Sequence, residues 1–202
     1  INGNIFHNSG SSSVQELGFS LAMANDYIES LLGKGFNIDD ISPRIRFNFA
    51  VGTNYFMEIA KFRAARLLWA KMVEAYKPAN ETSKRMSIHA ETSLWSMTVY
   101  DPYVNMLRTT TESMSAVLAG VDSLSVLPFN APFSEPTSFS ERIARNQQIL
   151  LREEAYFGKV ADPAAGSYYI ENLTLSIAEH AWNLFLQVNE LGGYRQAFLK
   201  GY

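Results

Sequence analysis

Strand-like segments recur in this chain about every forty residues, and each is followed by a long helical pattern. The four segments begin near residues 1, 44, 85 and 123, so they lie 43, 41 and 38 residues apart. Alternation of strand and helix predicts a parallel sheet whose strands are joined by crossover helices. Units of nearly equal length are typical of the wall of a β/α barrel, although other repeat folds have similar periods.

Within each segment one face is apolar and the other is polar. The apolar face comprises Ile1, Gly3, Ile5, Ile45, Phe47, Phe49, Met86, Ile88, Ala90, Leu124 and Val126. The polar face comprises Asn2, Asn4, Arg44, Arg46, Asn48, Ser87, His89, Glu91, Ser123 and Ser125. A sheet covered by helices on both sides would be apolar on both, so the pattern favours a barrel with helices outside only. Because burying a charge is costly unless it is paired, the polar interior must be hydrated, filled by a polar ligand, or closed by internal ion pairs.

The length favours half of a barrel. A complete barrel needs eight strands and about 250 residues, whereas this chain has 202 residues, about four units, and Ile1 instead of Met at its start. We therefore predict an α/β fold: a partial (β/α)8 TIM barrel, the C-terminal half, with extra C-terminal helices. Residues 1–202 would form one domain cut from a longer protein. Its open sheet edges predict pairing with another copy or poor behaviour in isolation.

Composition excludes several classes of function. The net charge of −3 gives no attraction to nucleic acid. A membrane-spanning helix needs a run of about 18 apolar residues, and the sequence contains no such run. There is no cysteine, which excludes disulfides and thiolate metal sites and fits a cytoplasmic protein. The three histidines, His7, His89 and His180, are too scattered to indicate a metal site.

Capping and turn residues predict the helix boundaries. The predicted helices run from a capping box at Ser13 and Glu16 to Gly33, from about residue 56 to near Pro78, from Asp101-Pro102 to Gly120, and over residues 139–154. A final helix, after residue 166, is predicted to carry apolar residues from Leu173 to Leu191 on one face. Residues 128–136 are predicted to be a proline-rich loop, and residues 162–166 a turn. The last helix carries Leu175, Trp182 and Phe185 on a second apolar face. This face indicates either packing within the chain or a contact with another subunit or domain.

Six segments together resemble the methylmalonyl-CoA mutase family. They are Ser42-Pro-Arg-Ile-Arg-Phe47, Phe56-Met-Glu-Ile-Ala-Lys-Phe-Arg-Ala-Ala-Arg-Leu-Leu-Trp-Ala-Lys71, Thr92-Ser-Leu-Trp-Ser96, Asp101-Pro-Tyr-Val-Asn105, Glu141-Arg-Ile-Ala-Arg-Asn-Gln147 and Asp162-Pro-Ala-Ala-Gly-Ser-Tyr-Tyr-Ile-Glu171. Their order covers nearly the whole chain. The resemblance implies the second half of a barrel in which acyl-CoA lies along a polar axis. In that family adenosylcobalamin, held by a separate C-terminal domain, caps one end.

Three ligand-facing segments depart from the family pattern. Catalytic members have Ile-Ser-Gly-Tyr-His-Met-Gln-Glu-Ala-Gly, whose tyrosine and histidine contact the acyl group, and Ile1–Gly10 places Asn4 and Ile5 at those positions. Isoleucine cannot donate a hydrogen bond to a thioester carbonyl, and His7 is predicted to lie beyond the strand end. The family's Ser-Leu-His-Thr-Asn is replaced by Ser123-Leu-Ser-Val-Leu-Pro128. No catalytic residue is therefore expected in this chain.

Three residues keep or alter family positions associated with substrate. Arg44 retains a position that binds acyl-CoA, His89 matches a family histidine, and Glu91 replaces a glutamine beside cofactor and substrate. Leu94 replaces a family glycine nearby. Each of the three has a structural alternative: Arg44 and Glu91 as an internal ion pair, and His89 as a hydrogen-bonded interior residue. Asn4 would then be a polar filler.

The resemblance implies a non-catalytic small subunit that supports the catalytic large subunit of a heterodimeric, adenosylcobalamin-dependent mutase. No cofactor is expected on this chain, because the cobalamin-binding pattern Asp-x-His-x-x-Gly is absent. The alternative is a catalytically active acyl-CoA mutase with altered acyl specificity. A barrel enzyme acting on phosphorylated sugars is disfavoured, since residues 128–132 offer no glycine-rich phosphate site.

Overall fold

A three-stranded parallel sheet forms the centre of the computed structural model, which describes all 202 residues. The strands, in the spatial order β1-β2-β3, are β1 Arg46–Val51, β2 Ser87–Thr92 and β3 Ser123–Ser125. The helices are α1 Asn4–Asn8, α2 Ser13–Leu32, α3 Ile38–Ile41, α4 Tyr55–Ala75, α5 Val104–Leu118, α6 Ser138–Glu153, α7 Tyr168–Glu190 and α8 Tyr194–Leu199. Short 3-10 turns occupy Ser42–Arg44, Glu81–Lys84 and Phe157–Lys159. The prediction of an α/β fold with parallel strands and crossover helices is confirmed.

The apolar face of the sheet packs against the helices, as the alternation predicts. Phe47, Phe49 and Ile88 are almost completely buried. Phe47 meets the Trp69 ring of α4 edge-on, with ring centroids 5.0 Å apart. Helices α2 and α4 both pack against α7, so one continuous core lies on this side of the sheet. The opposite, polar face of β1 and β2 remains partly exposed.

The first predicted strand is wrong beyond its second residue. Asn2 forms a single parallel bridge with Asn48, and the chain then turns into α1, so that Ile5 lies on a helix. The turn brings Gly3 against α2 and β1: a Cβ atom on Gly3 would lie 2.5 Å from Ser20 Oγ and 2.9 Å from a ring carbon of Phe49. Only a residue without a side chain fits this approach.

Two helix starts also differ from prediction. The capping box of α2 is formed by Ser12 and Gln15, one residue earlier than predicted, and Glu16 is buried. Helix α5 begins at Val104, because Asp101-Pro102 forms a turn in which the Asp101 carbonyl accepts the Val104 amide at 3.2 Å.

The C-terminal region largely follows the prediction. Residues 128–136 contain no helix or strand, and α8 is an addition that the sequence pattern did not indicate. On α7, Phe185 is buried and Trp182 packs against the core, with Lys71 Nζ 4.5 Å from the Trp182 ring. Leu175 stays exposed. The second apolar face of α7 therefore packs mainly within the chain.

Candidate functional site

Polar side chains contact one another at the carboxyl ends of β1 and β2. This is where ligands bind in parallel α/β proteins, because the loops that follow the strands meet there. Helix α1 lies across these strand ends, and the loop after β2 continues from them. The residues of α1 and β2 are therefore the candidates for a functional site.

Asn4 and Glu91 contact each other at this end of the sheet. The Asn4 Nδ2 atom donates to Glu91 Oε1 at 2.5 Å, and Asn8 Nδ2 donates to Asn4 Oδ1 at 2.7 Å. Asn4 is buried, whereas Ile5 is 60% exposed on the outer side of α1. The two positions that carry the family's tyrosine and histidine thus point in different directions here, and the amide of Asn4 is already engaged with a carboxylate.

Polar residues further down the same face bind one another across the strands. Asn48 Nδ2 donates to Asn2 Oδ1 at 3.2 Å, and His89 Nδ1 lies 2.8 Å from Ser123 Oγ. His89 is opposite Asn48 in the strand register. His89 therefore has the geometry of a hydrogen-bonded interior residue, which is the structural alternative predicted for it.

Arg44 lies at the opposite end of the sheet. It sits in the turn before β1, is exposed, and donates from Nε to the Asp40 carbonyl at 3.2 Å. The structure contains no ion pair between Arg44 and Glu91, so that structural alternative is wrong: one residue precedes β1 and the other is near the end of β2. Of the three substrate candidates, the structure places His89 and Glu91 on one strand and separates Arg44 from them.

A cleft with a volume of about 870 Å³ lies near Arg44, away from the strand ends. Its wall consists of Ile1, Asn2, Met23, Tyr27, Leu31, Phe36, Asp40, Ile41, Arg44, Ile45 and Arg46. Because the polar residues of the strand ends do not line it, size alone does not identify the functional site.

Beneath the strand ends lies a buried ionic cluster that the sequence pattern did not indicate. Lys61 Nζ is 2.8 Å from Glu16 Oε2 and 2.6 Å from Glu58 Oε2, and all three residues are buried. The Glu58 contact is an ion pair without hydrogen-bond alignment. The available signal was the position of Glu16, directly before Leu17 in the buried stripe of α2, but its spacing from Ser13 suggested a cap instead.

Glu16 and Lys61 take the place of a neighbouring strand beside Ala50. The Ala50 amide donates to Glu16 Oε1 at 2.9 Å, and Lys61 Nζ donates to the Ala50 carbonyl at 2.8 Å. Along the same edge of β1, the Arg46 carbonyl and the Asn48 amide bond to Ile1. The buried ion pair therefore satisfies the backbone groups left unpaired where the first segment turns into α1.

A second hydrogen-bonded group extends the cluster to the loop after β2. His7 Nε2 lies 2.7 Å from Ser93 Oγ, and the buried Glu112 of α5 accepts from the Ser93 amide at 3.2 Å and from Ser96 Oγ at 2.5 Å. His7 Nδ1 is also 4.0 Å from Glu16 Oε2. The expectation that His7 lies past the strand is correct, but its side chain is largely buried and joins α1 to this loop.

Burial and neighbouring charges shift the pKa values of these groups. Burial raises the pKa of Glu112 to about 7, against the hydrogen bonds from Ser96 and Ser93, which lower it. Burial also raises the pKa of Glu16 to about 7, although Lys61 opposes this. Burial by itself would lower the pKa of Lys61, but Glu16 and Glu58 outweigh it, so the pKa of Lys61 is raised and the ammonium stays charged. The pKa of His7 is lowered by burial and then by Lys61.

The histidines do not fit the role of an axial cobalt ligand. His7 and His89 are hydrogen-bonded to serines, and His180 Nδ1 lies 2.7 Å from the Ser176 carbonyl on α7. None occurs in an Asp-x-His-x-x-Gly pattern. No three His, Asp or Glu side chains converge on a point that could hold a metal ion.

No helix is long and apolar enough to cross a bilayer.

The parallel α/β fold, with polar side chains at its strand ends, defines a class of α/β domain with a candidate ligand site, and comparison with known proteins identifies the family. The sequence profile for methylmalonyl-CoA mutase matches residues 1–202. The chain belongs to the methylmalonyl-CoA mutase family.

The similar proteins include a small subunit, a large subunit and mutases whose names mention no subunit. A methylmalonyl-CoA mutase small subunit from Porphyromonas gingivalis is 57% identical over 185 residues, covering 91% of this chain and 30% of that protein. The large subunit from the same organism is 41% identical over 201 residues, covering all of this chain and 28% of its own length. A methylmalonyl-CoA mutase from Rhizobium meliloti is 46% identical over 201 residues, again 28% of that protein. The chain therefore spans less than a third of the length of these relatives.

Proposed function

We propose that this chain is part of the non-catalytic small subunit of a heterodimeric, adenosylcobalamin-dependent methylmalonyl-CoA mutase. In this proposal it forms half of a (β/α)8 barrel in the cytoplasm. It supports the catalytic large subunit, which interconverts succinyl-CoA and methylmalonyl-CoA. Adenosylcobalamin belongs to the assembled complex and does not contact these residues.

The observation that carries the proposal is the pairing of Asn4 with Glu91. Asn4 occupies the position of the family's tyrosine, Ile5 that of its histidine, and Glu91 that of its glutamine. The Asn4 amide donates to Glu91, and Ile5 points outward. Polarising a thioester carbonyl requires donors aimed at the developing charge. Here one N–H of the Asn4 amide is bound to a carboxylate, whose negative charge would oppose negative charge developing on a nearby thioester oxygen.

The identity to a protein named as a small subunit supports the same proposal. It exceeds by 16 percentage points the 41% identity to the large subunit from the same organism. Separate subunit names in one organism also support a heterodimer as the assembled form.

Turnover by separated and combined subunits tests the proposal. The intact small subunit, supplied with adenosylcobalamin and succinyl-CoA, is expected to give no methylmalonyl-CoA above the rate without protein. Activity should appear when the large subunit is added. The control is the large subunit carrying asparagine and isoleucine at its tyrosine and histidine positions, which should be inactive in the same mixture. Isomerisation by the small subunit alone would refute the proposal.

A second candidate is an active mutase with altered acyl specificity, and the exposed Arg44 favours it. Arg44 retains a family position for acyl-CoA and, together with Arg46, borders the cleft of about 870 Å³. Titration calorimetry of the intact polypeptide with an unreactive acyl-CoA analogue separates the candidates. Micromolar binding that Arg44→Ala weakens at least tenfold, while Arg108→Ala does not, supports an acyl-CoA site. Absence of binding excludes this candidate.

A further inference from the structure

Five parts of the molecule meet in the buried cluster below the strand ends. His7 comes from α1, Glu16 from α2, Glu58 and Lys61 from α4, Ser93 from the end of β2, and Glu112 from α5. The side chains of Glu16, Glu58 and Lys61 are each at most 4% exposed. Because these groups are distant in sequence and well enclosed, we expect their contacts to form together and to break together.

The charges in this cluster do not balance. Three carboxyl groups, those of Glu16, Glu58 and Glu112, share one ammonium group, that of Lys61. Lys61 contacts only the first two, and Arg108 is the remaining cation whose charge acts on Glu112. Full ionisation would leave excess negative charge among buried side chains, which is strongly unfavourable. The closed arrangement is therefore expected to hold a proton that an open, hydrated arrangement would release.

Glu112 connects the bound proton to the exposed loop that follows β2. Its two oxygens accept from Ser93 and Ser96, the first residues of the loop after β2. The same Ser93 hydroxyl contacts His7, which lies one helical turn after Asn4 on α1. The Ser93 amide also donates to the Val51 carbonyl at 2.9 Å. Opening at Glu112 would therefore free the loop at Ser96 and loosen the Ser93 contact with α1.

The loop held in this way presents large apolar side chains to solvent. Leu94 and Trp95 follow Ser93 directly and are 41% and 66% exposed. Trp95 also packs near Gly10, just after α1. The start of this loop is held against the body of the protein by the hydrogen bonds of Ser93 and Ser96 to Glu112 and by that of the Ser93 amide to the Val51 carbonyl.

We propose that Glu112, Ser93, Ser96 and His7, together with the Glu16–Lys61–Glu58 cluster, form a proton-linked latch. In the closed form the latch retains a proton and fixes the loop and α1 over the strand ends. Loss of the proton loosens both. The proposal does not depend on whether the subunit is catalytic, because it concerns contacts within this chain.

The groups that face the latch set the sign of its pH dependence. Glu112 faces Glu58 and Arg108, and His7 faces Glu16, Glu58 and Lys61. For Glu112 the closed form binds the proton more tightly than the open form, so opening increases as the pH rises from about 5 to about 7 and is level above that. His7 acts in the opposite direction, because burial disfavours its charged form. A comparison between variants that all keep His7 cancels its contribution.

Hydrogen exchange of the loop amides in the intact polypeptide tests the latch. After correction for intrinsic rates, exchange in residues 94–103 is expected to rise by up to tenfold per pH unit between pH 5 and 7, relative to Glu112→Gln. Glu112→Gln has no proton to lose at this position, so its pH profile should keep only the contributions of the other groups, such as Glu16 and His7. Glu190→Gln, at the exposed end of α7, is the matched control and should behave as the wild type.

A second variant keeps the proposal testable if Glu112→Gln does not fold. Ser96→Ala removes a hydrogen bond that favours the charged form of Glu112, so the pH at which exchange becomes level should move upward. Identical pH profiles for wild type and Glu112→Gln would overturn the latch. So would an unchanged plateau in Ser96→Ala.

Discussion

Asn4 and Glu91, 87 residues apart in the chain, are joined by a hydrogen bond of 2.5 Å over the carboxyl end of the sheet. An asparagine amide opposite a carboxylate is a matched donor and acceptor, and the bond is charge-assisted. The contact therefore joins α1 to β2.

Replacing Glu91 with glutamine should weaken this contact without breaking the fold. Glu91→Gln removes the charge but keeps an acceptor oxygen, so the expected loss in free energy of unfolding is about 1 kcal/mol. Urea denaturation of the intact polypeptide measures it, with the exposed Glu190→Gln as the control. An unchanged or increased stability would show that Asn4 and Glu91 do not stabilise each other.

Removing Lys61 should be far more damaging. Lys61→Met leaves the Ala50 carbonyl without its donor and two buried carboxylates, Glu16 and Glu58, without their cation. Breaking a buried pair in this way typically costs about 3–5 kcal/mol. Lys34→Met, at an exposed position just after α2, should change the free energy of unfolding by less than about 0.5 kcal/mol. A loss below about 1 kcal/mol for Lys61→Met would contradict the role of the pair as a replacement for a strand.

The pH dependence of global stability follows from the raised carboxyl pKa values. Glu16 and Glu112 hold protons in the folded state up to about pH 7 but lose them near pH 4.5 when unfolded. The folded state thus binds more protons in that range, and stability should fall as the pH rises through it, by roughly 1.4 kcal/mol per pH unit for each net proton.

His7 reduces this slope in part of the range. Its pKa is lowered in the folded state, so its contribution rises with pH below about 6.5. His7→Gln should therefore steepen the fall in stability between pH 5 and 6.5. Denaturation series at pH 5, 6, 7 and 8 give both slopes. Greater stability at pH 8 than at pH 5 in His7→Gln would contradict the assignment.

The strand and helix periods were predictable because they follow from burial of one face. Phe47, Phe49, Ile88 and Ala90 alternate with polar residues, and that alternation allows only one side of β1 and β2 to face the core. The same periodicity misplaced the first segment. Ile1, Gly3 and Ile5 alternate equally well, yet the chain leaves the sheet after Asn2, since Glu16 and Lys61 already bind the next backbone groups of β1.

The candidate site was predictable only in part, for a related reason. The positions of Asn4 and Glu91 could be compared with a family pattern, but their contact depends on α1 folding back over the strands. The buried cluster joins residues from separate helices whose side chains look like ordinary helix-surface charges. No local pattern distinguishes Glu58 and Lys61, three residues apart on α4, from an exposed ion pair.

Gly3 is the point on which the turn from the sheet into α1 depends, so Gly3→Ala should displace that helix. The new Cβ would meet Ser20 Oγ at 2.5 Å and the Phe49 ring at 2.9 Å, and the ring is held in the core. Overpacking of this kind costs about 1–3 kcal/mol. Gly158→Ala is the matched control, because no atom lies within 4 Å of its added Cβ. Urea denaturation should show the loss in Gly3→Ala alone, and the loop amides of residues 94–103 should exchange faster as α1 shifts away from Ser93. A Gly3→Ala protein with wild-type stability and wild-type loop exchange would show that α1 is not positioned by this contact.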